Sequence, residues 1–240
     1  METPRQIPGD HIELSPEEKE IKKVKEFRDK LVMPEYPIIK ILFAYRLSRQ
    51  AHAQQERESG EPYFEHLRRT ALILMDECDI HDPDIIIAAL LHDAIEDTTI
   101  FGGIENKTYT AWKETAQIHL NDIFHGFKGV TEMIITLTKP RVDKKEIETQ
   151  EEADRLYKQH LTASPCKTIL VKMADRLDNL RTLSGKPLDK QRAIITETRD
   201  FYFPLFERAK EKYPEKAEYM LDEMKKAITA WEENNQLQTP

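Results

Sequence analysis

Glycine is scarce, with seven in 240 residues. A fold built on many tight turns is therefore excluded, because turns with positive φ draw on glycine. Cysteine is scarcer still: Cys78 and Cys166 both fall inside apolar helical patterns. They read as small core residues in a reducing compartment, which leaves no disulfide framework and no thiolate zinc site. No apolar run approaches the roughly eighteen residues of a membrane span. The first twenty residues lack the apolar stretch of a secretory signal, so the expected location is the cytoplasm. Lysine and arginine are outnumbered by aspartate and glutamate, 36 to 44, for a net charge of −8. Bulk attraction to nucleic acid or to an anionic membrane is not expected. A small polyanionic substrate would need cations placed locally, either a metal or arginine.

What is present is helical punctuation. Ser15-Pro16 with Glu18 supplies an N-cap, a proline at the first helical position and a capping-box acid, opening a charge-dense outer helix to about Met33. Apolar residues at 38, 41, 42, 45 and 53 predict a helix from Ile38 to about Glu56. Ser59 to Pro62 reads as a turn, with Pro62 starting a helix that reaches Cys78. Asp82-Pro83 repeats the cap-plus-proline signature and opens a helix expected to run through Asp97. After a loop at Gly102-Gly103, helices are predicted from about Tyr109 to Phe124 and across Val130, Met133, Ile134 and Leu137. Residues 140–160 are polar and read as a mobile loop or loose helix. Ser164-Pro165 caps a helix through Leu183, and two or three more fill 188–235. No segment reads convincingly as a strand, so the fold class is all-α.

The most informative segment is 84–97. Seven apolar residues, 85 to 91, demand burial, and His92, Asp93, Glu96 and Asp97 then arrive at the end of the same helix. In one continuous helix, His92 and Glu96 would lie in one row, and Asp93 and Asp97 in the next. Three carboxylates in five residues repel one another, and the negative end of the helix dipole disfavours each by roughly 0.3–1 kcal/mol. A divalent cation is the economical compensation. A second His-Asp pair, His81-Asp82, has a structural explanation as the cap before Pro83 and is rejected as a ligand site.

Further ligands would come from two other helices. Asp175, Asn179 and Thr182 form a polar stripe at i, i+4 and i+7 beside apolar Ile169, Leu170, Met173, Leu177 and Leu180. From spacing alone, that stripe is equally an exposed amphipathic face. His66, like His52, has a packed or surface reading beside its ligand reading. Two imidazoles and two carboxylates would form a mixed nitrogen and oxygen set. Such a set suits Mn²⁺, Fe²⁺ or Zn²⁺ better than Ca²⁺ and leaves positions open for water and substrate. One turn further on, Glu96 and Asp97 could orient or deprotonate that water.

Three runs carry a family resemblance: Ala51 to His66, Ala88 to Thr98 and Val171 to Leu183, with a weaker continuation at Glu197-Thr198 and Phe203-Pro204. Together they resemble the hydrolase domain of RelA/SpoT-type alarmone enzymes, an HD-domain helical bundle. The resemblance implies a manganese-dependent hydrolase, with Fe²⁺ or Zn²⁺ as alternatives, that removes the 3′-pyrophosphate of ppGpp or pppGpp. By position it implies His66, His92, Asp93 and Asp175 as metal ligands, Glu96 and Asp97 as the pair activating water, and Asn179 close to the reacting group. Arg57, Ser59 and Thr182 resemble nucleotide-holding residues, while Lys172, Arg176 and Arg181 are candidate phosphate contacts.

The division expected on this basis is a polar segment and outer helix over 1–36, the HD hydrolase domain over 37–206, and C-terminal helices over 207–240 packing on that domain. Pro240 comes too soon after Leu183 for a nucleotidyl-transfer domain, which needs about 100 residues or more. A stand-alone small alarmone hydrolase, similar in scope to the small metazoan SpoT homologue, is the expectation. The partner implied is a small-molecule nucleotide; oligomeric state is not specified. Departures from the pattern are Glu58 where a basic residue is usual, Leu67 where proline is usual, Asp178 where an aromatic or histidine is usual, and a longer 99–128 region. None touches the metal set. Glu58 lies near the expected base position and opens the alternative of an adenine alarmone such as ppApp. NADPH and other nucleotides are further alternative substrates. A catalytically silent alarmone-binding protein is disfavoured because Glu96, Asp97 and all four ligand candidates are present.

Overall fold

The computed structural model describes residues 14–236; the beginning of the expected polar segment, residues 1–13, lies outside them. Among the described residues there is no strand, only an isolated bridge between Glu56 and Pro62, so the chain is all-α. No described helix is long and apolar enough to cross a membrane.

Helix α1 (Pro16–Asp29) begins with the capping box that the sequence spells out: the Ser15 amide donates to Glu18 Oε2 at 2.8 Å, and the Glu18 amide to Ser15 Oγ at 3.2 Å. It contributes one fully buried anchor, Phe27, whose ring meets Tyr45 of α2 (Glu35–Ala51) at 4.8 Å. Turns over 52–63 lead into α3 (Phe64–Leu72), which continues as a π-type turn, Ile73–Glu77. The expected start at Pro62 is thus delayed by two residues.

Helix α4 (Pro83–Leu91) is the centre of the bundle. Asp82 caps it by accepting from the Asp84 and Ile85 amides, and every residue from Ile85 to Leu91 is at most 1% exposed. A helix that is apolar all round must be surrounded, and α2, α3, α7 (Lys128–Leu137) and α9 (Cys166–Arg181) surround it. It does not run through to Asp97. The chain leaves the helix at His92-Asp93 and makes one further turn, α5 (Ala94–Asp97). Ionisable side chains at the end of so buried a helix cannot all share one packed face, and the break distributes them in different directions.

Between α5 and α7 lies α6 (Tyr109–Ile123), capped by Thr108. The expectation for 140–160 is corrected. Residues 150–163 form a regular helix, α8 (Gln150–Ala163), in which Thr149 caps the Glu152 amide and Ala153, Tyr157 and Leu161 form a buried stripe at i, i+4 and i+8. Charge density hid a three-residue apolar face. Helices α10 (Leu188–Glu197), α11 (Phe203–Glu207) and the long α12 (Pro214–Gln236) follow, and α12 packs along α9. Cys78 and Cys166 are both free and buried.

If α4 is the keystone, Leu90→Ala should cost about 2–5 kcal/mol in chemical denaturation. Ile21→Ala on the outer helix, where the side chain is 68% exposed, should change stability by no more than about 0.5 kcal/mol.

Candidate metal centre and substrate cavity

The break after α4 does chemical work. Helix termination leaves carbonyls without helical partners, and His92 Nδ1 lies 2.9 Å from one of them, Ala89 O. That contact makes Nδ1 the protonated nitrogen and leaves Nε2 bare. The Nε2 atom is buried and has no hydrogen-bond partner. On α3, His66 is turned in the same manner: its Nδ1 lies 2.6 Å from Asp178 Oδ2, so Nε2 faces the opposite way. From α9, Asp175 Oδ1 comes to 3.2 Å from His66 Nε2 and 3.8 Å from His92 Nε2. One ligand atom from each of His66, His92 and Asp175 lies within 4.8 Å of the other two. Asp93, the fourth expected ligand, stands beside this group, with Oδ2 at 3.2 Å from His92 Nε2 and 3.9 Å from His66 Nε2. The two Nε2 atoms, bare in the neutral rings, and the buried Asp175 carboxylate, with half-buried Asp93 beside them, fit a divalent cation by donor type and by the orphaned His92 nitrogen.

Neighbouring groups hold the carboxylates in place. Lys172 Nζ donates to Asp175 Oδ2 at 2.7 Å, and Asn179 Nδ2 donates to Asp175 Oδ1 at 2.6 Å. The Tyr63 hydroxyl, a residue the sequence reading passed over as a ligand-orienting group, lies 2.8 Å from Asp93 Oδ2 and 3.0 Å from Asp97 Oδ2. Its place three residues before His66, at the start of α3, was the available signal.

His66, Asp175 and Asp93 line a cavity of about 420 Å³, with His92 buried behind them. Cationic side chains line the walls despite the acidic chain: Arg57, Lys139, Lys158, Lys172, Arg176 and Lys186. Arg176 stacks over the Tyr202 ring at 3.9 Å and reaches Glu197 at 3.0 Å. Of the expected nucleotide contacts, Arg57 and Arg176 line the cavity, while Ser59, Thr182 and Arg181 do not. Ser59 is exposed and packs so closely on Gly185 that a Cβ there would fall 2.8 Å from Ser59 Cβ. Thr182 Oγ1 donates back to the Asp178 carbonyl at 2.8 Å, and Arg181 pairs with Glu77 and Glu223.

The acids diverge as well. Glu96 lines the cavity and accepts the Lys139 amide at 2.9 Å; burial, reinforced by Asp93, pushes its carboxyl up to about 7. Asp97 faces a smaller cleft beside Trp112 and Arg141, and burial, again with Asp93, raises it too. The break at 92–93 explains this separation. Of the two acids expected to activate water, Glu96 lines the cavity, whereas Asp97 reaches the cluster through Tyr63.

Comparison with known proteins gives a consistent picture. The HD domain family matches residues 44–210. Over 167 residues the chain is 38% identical to a Synechocystis protein named "Probable guanosine-3′,5′-bis(diphosphate) 3′-pyrophosphohydrolase", covering 69% of this chain and 19% of that one. It is 35% identical over 178 residues to "Bifunctional (p)ppGpp synthase/hydrolase SpoT" of Escherichia coli, covering 73% and 22% respectively. The chain thus spans about a fifth of the length of these curated relatives. A solved structure described as a metazoan orthologue of SpoT that hydrolyses ppGpp superposes with a TM-score of 0.56 at 25% identity, covering 77% of this chain and 93% of that one.

Burial opposes charge on both imidazoles, but the carboxylates of Asp175 and Asp178 outweigh it and raise His66, while Asp93 and Asp175 raise His92 well above its ordinary value. In the metal-free protein their charged forms therefore stabilise the fold at acid pH, and that stabilisation is lost as pH rises through the raised values. A cation needs the same nitrogens deprotonated. The gain in melting temperature on adding Mn²⁺ to chelator-treated protein should accordingly be larger at about pH 8 than at about pH 6. His92→Ala should abolish most of that gain.

Proposed function

Because the chain belongs to the HD domain family, we propose that it is a metal-dependent 3′-pyrophosphohydrolase of ppGpp or pppGpp, releasing pyrophosphate and leaving GDP or GTP. One observation carries the reading: the Nε2 atoms of His66 and His92 meet the buried Asp175 carboxylate beside a cavity whose walls carry six lysine and arginine side chains together with Glu56, Glu58, Asp154 and Glu197. Such walls concentrate a polyanion that the chain's overall charge of −8 would repel. His66, His92, Asp93 and Asp175 would hold the cation. The mixed donor set favours Mn²⁺, with Fe²⁺ and Zn²⁺ as alternatives. When bound, the cation supplies Lewis acidity, polarising phosphoryl oxygens and acidifying water.

The remaining chemistry belongs to the side chains. In the hydrolysis, a water oxygen bonds to the phosphorus attached to the ribose 3′ oxygen, and that oxygen leaves and takes up a proton. Glu96, raised to about 7 by burial, is suited to accept the water's proton near neutral pH. Asp97 acts through Tyr63 to fix Asp93, and Asn179 holds Asp175 and Arg57 together. Lys172 is kept cationic against burial by Asp175, Tyr157 and Tyr202, and with Arg176 it faces the phosphates. Ser59 and Thr182 would meet only a portion of nucleotide extending beyond the cavity.

Glu58 bears on the base. Its carboxylate lines the cavity and pairs with Lys190 and, at 3.7 Å, Lys186. A carboxylate can accept both the N1–H and the amino group of guanine, whereas adenine offers only its amino group on that edge. The chemistry at this position supports guanine, contrary to the adenine alternative that Glu58 opened in the sequence.

Mn²⁺-loaded protein should release pyrophosphate, not single phosphate, from ppGpp, faster than from ppApp, NADPH or a simple phosphomonoester, and chelator should stop it. Glu96→Gln should lower kcat about 10²–10⁴-fold. Orthophosphate as the product, or undiminished turnover by the Gln variant, would refute the assignment.

A further inference from the structure

Asp178 takes no place in the cluster and does not line the cavity, yet it is 1% exposed and serves three cationic partners. Its Oδ2 lies 2.6 Å from His66 Nδ1 and accepts Arg57 Nη1 at 3.0 Å, while Oδ1 accepts Arg69 Nε at 2.6 Å. Arg69 in turn clamps Glu61 through two hydrogen bonds, at 2.5 and 2.8 Å, and the Glu61 carbonyl accepts the Arg57 amide at 2.8 Å. The result is a closed ring. Arg57 is held at its backbone by the turn that Arg69 anchors and at its guanidinium by the carboxylate that Arg69 also anchors.

We infer that Asp178 is a positioning residue that couples the two halves of the site, fixing His66 with Nε2 toward the metal centre while pinning Arg57 on the wall of the substrate cavity. The inference rests on the metal-dependent reading proposed above. A neighbouring connection runs parallel to it: Arg57 Nη2 donates to Asn179 Oδ1 at 2.6 Å, and Asn179 Nδ2 donates to Asp175 Oδ1 at 2.6 Å. Arg57 is therefore separated from His66 by one side chain, Asp178, and from Asp175 by the next, Asn179. Successive residues of α9 supply both connectors. An imidazole whose Nδ1 lost its acceptor would be free to rotate or to change tautomer, and such losses typically cost about 10–100-fold in metal affinity. An arginine released from two fixed acceptors would bind its substrate at the expense of more side-chain freedom. Removing the one carboxylate should thus impair both constants.

A purely structural role, neutralising Arg69 inside the protein, makes a different prediction. Replacing both members of a buried pair by apolar side chains of similar size is often neutral for stability, so the full-length Arg69→Met/Asp178→Leu double variant separates the two roles. Its metal-free melting temperature, lowered by the loss of the Asp178 contacts to His66 and Arg57, sets a temperature at which it is folded for both measurements. Its Kd for Mn²⁺, measured by calorimetric titration, should rise about 10–100-fold, and its KM for ppGpp at saturating Mn²⁺ should rise more than its kcat falls. Unchanged Kd and KM, or a change in only one of them, would overturn the coupling. If the double variant melts early, Asp178→Asn, which retains one acceptor oxygen, is read for the same two constants at a temperature where it is folded. Parent protein that takes up no Mn²⁺ would instead refute the metal centre itself, and this inference with it.

Discussion

Ionisable groups buried at the end of an apolar helix must be compensated, and the rest of the site follows from how that is done. Helix α4 is shielded on all sides, so His92 emerges into the interior and Asp93, half-buried, at the wall of the cavity. Isolated charges there would cost several kcal/mol each. Two of the surrounding helices and a turn contribute partners: Asp175 with Lys172, Asp178 and Asn179 from α9, His66 from α3, and Tyr63 from the turn before α3. The arrangement leaves His92 Nε2, facing the carboxylates of Asp93 and Asp175, without a hydrogen bond of its own. A protein interior tolerates such an atom where a bound species is meant to meet it.

Charge is layered outward from that point. Above the acidic cluster the cavity walls carry six lysine and arginine side chains beside Glu56, Glu58, Asp154 and Glu197, within a chain of net charge −8. Cationic walls within an anionic protein are costly to maintain. Here each is held by a local device: Lys172 between the Tyr157 and Tyr202 rings at 5.5 and 5.8 Å, Arg176 against Tyr202, and Arg57 between Asp178 and Asn179. Cations held in this way are preorganised and need little rearrangement to meet negative charge.

The helices that end in explicit signals were legible from the chain alone. Ser15-Pro16-Glu18 and Asp82-Pro83 cap where their side chains say they should, because capping is decided within four residues. Helix α8 was not legible, since its buried stripe of Ala153, Tyr157 and Leu161 is diluted among charged residues and is stabilised by what it packs against. Nor was the break at His92-Asp93. No glycine or proline marks it, and its cause is tertiary: the buried residues beyond Leu91 have to face different partners.

By itself, the sequence determined the all-α class, the buried run 85–91 that delivers His92 and Asp93 inward, and the residue types on three segments from which a cation site could be assembled. Those are consequences of local periodicity, capping and charge repulsion, all written within a few turns of helix. Only the tertiary structure decided which nitrogen of each histidine faces inward, that Glu96 enters the cavity while Asp97 turns away, and that Asp178 ties His66 to Arg57 across more than a hundred residues of chain. Such choices depend on the direction of a side chain about its own bonds and on partners remote in sequence, and no spacing rule along one chain contains either.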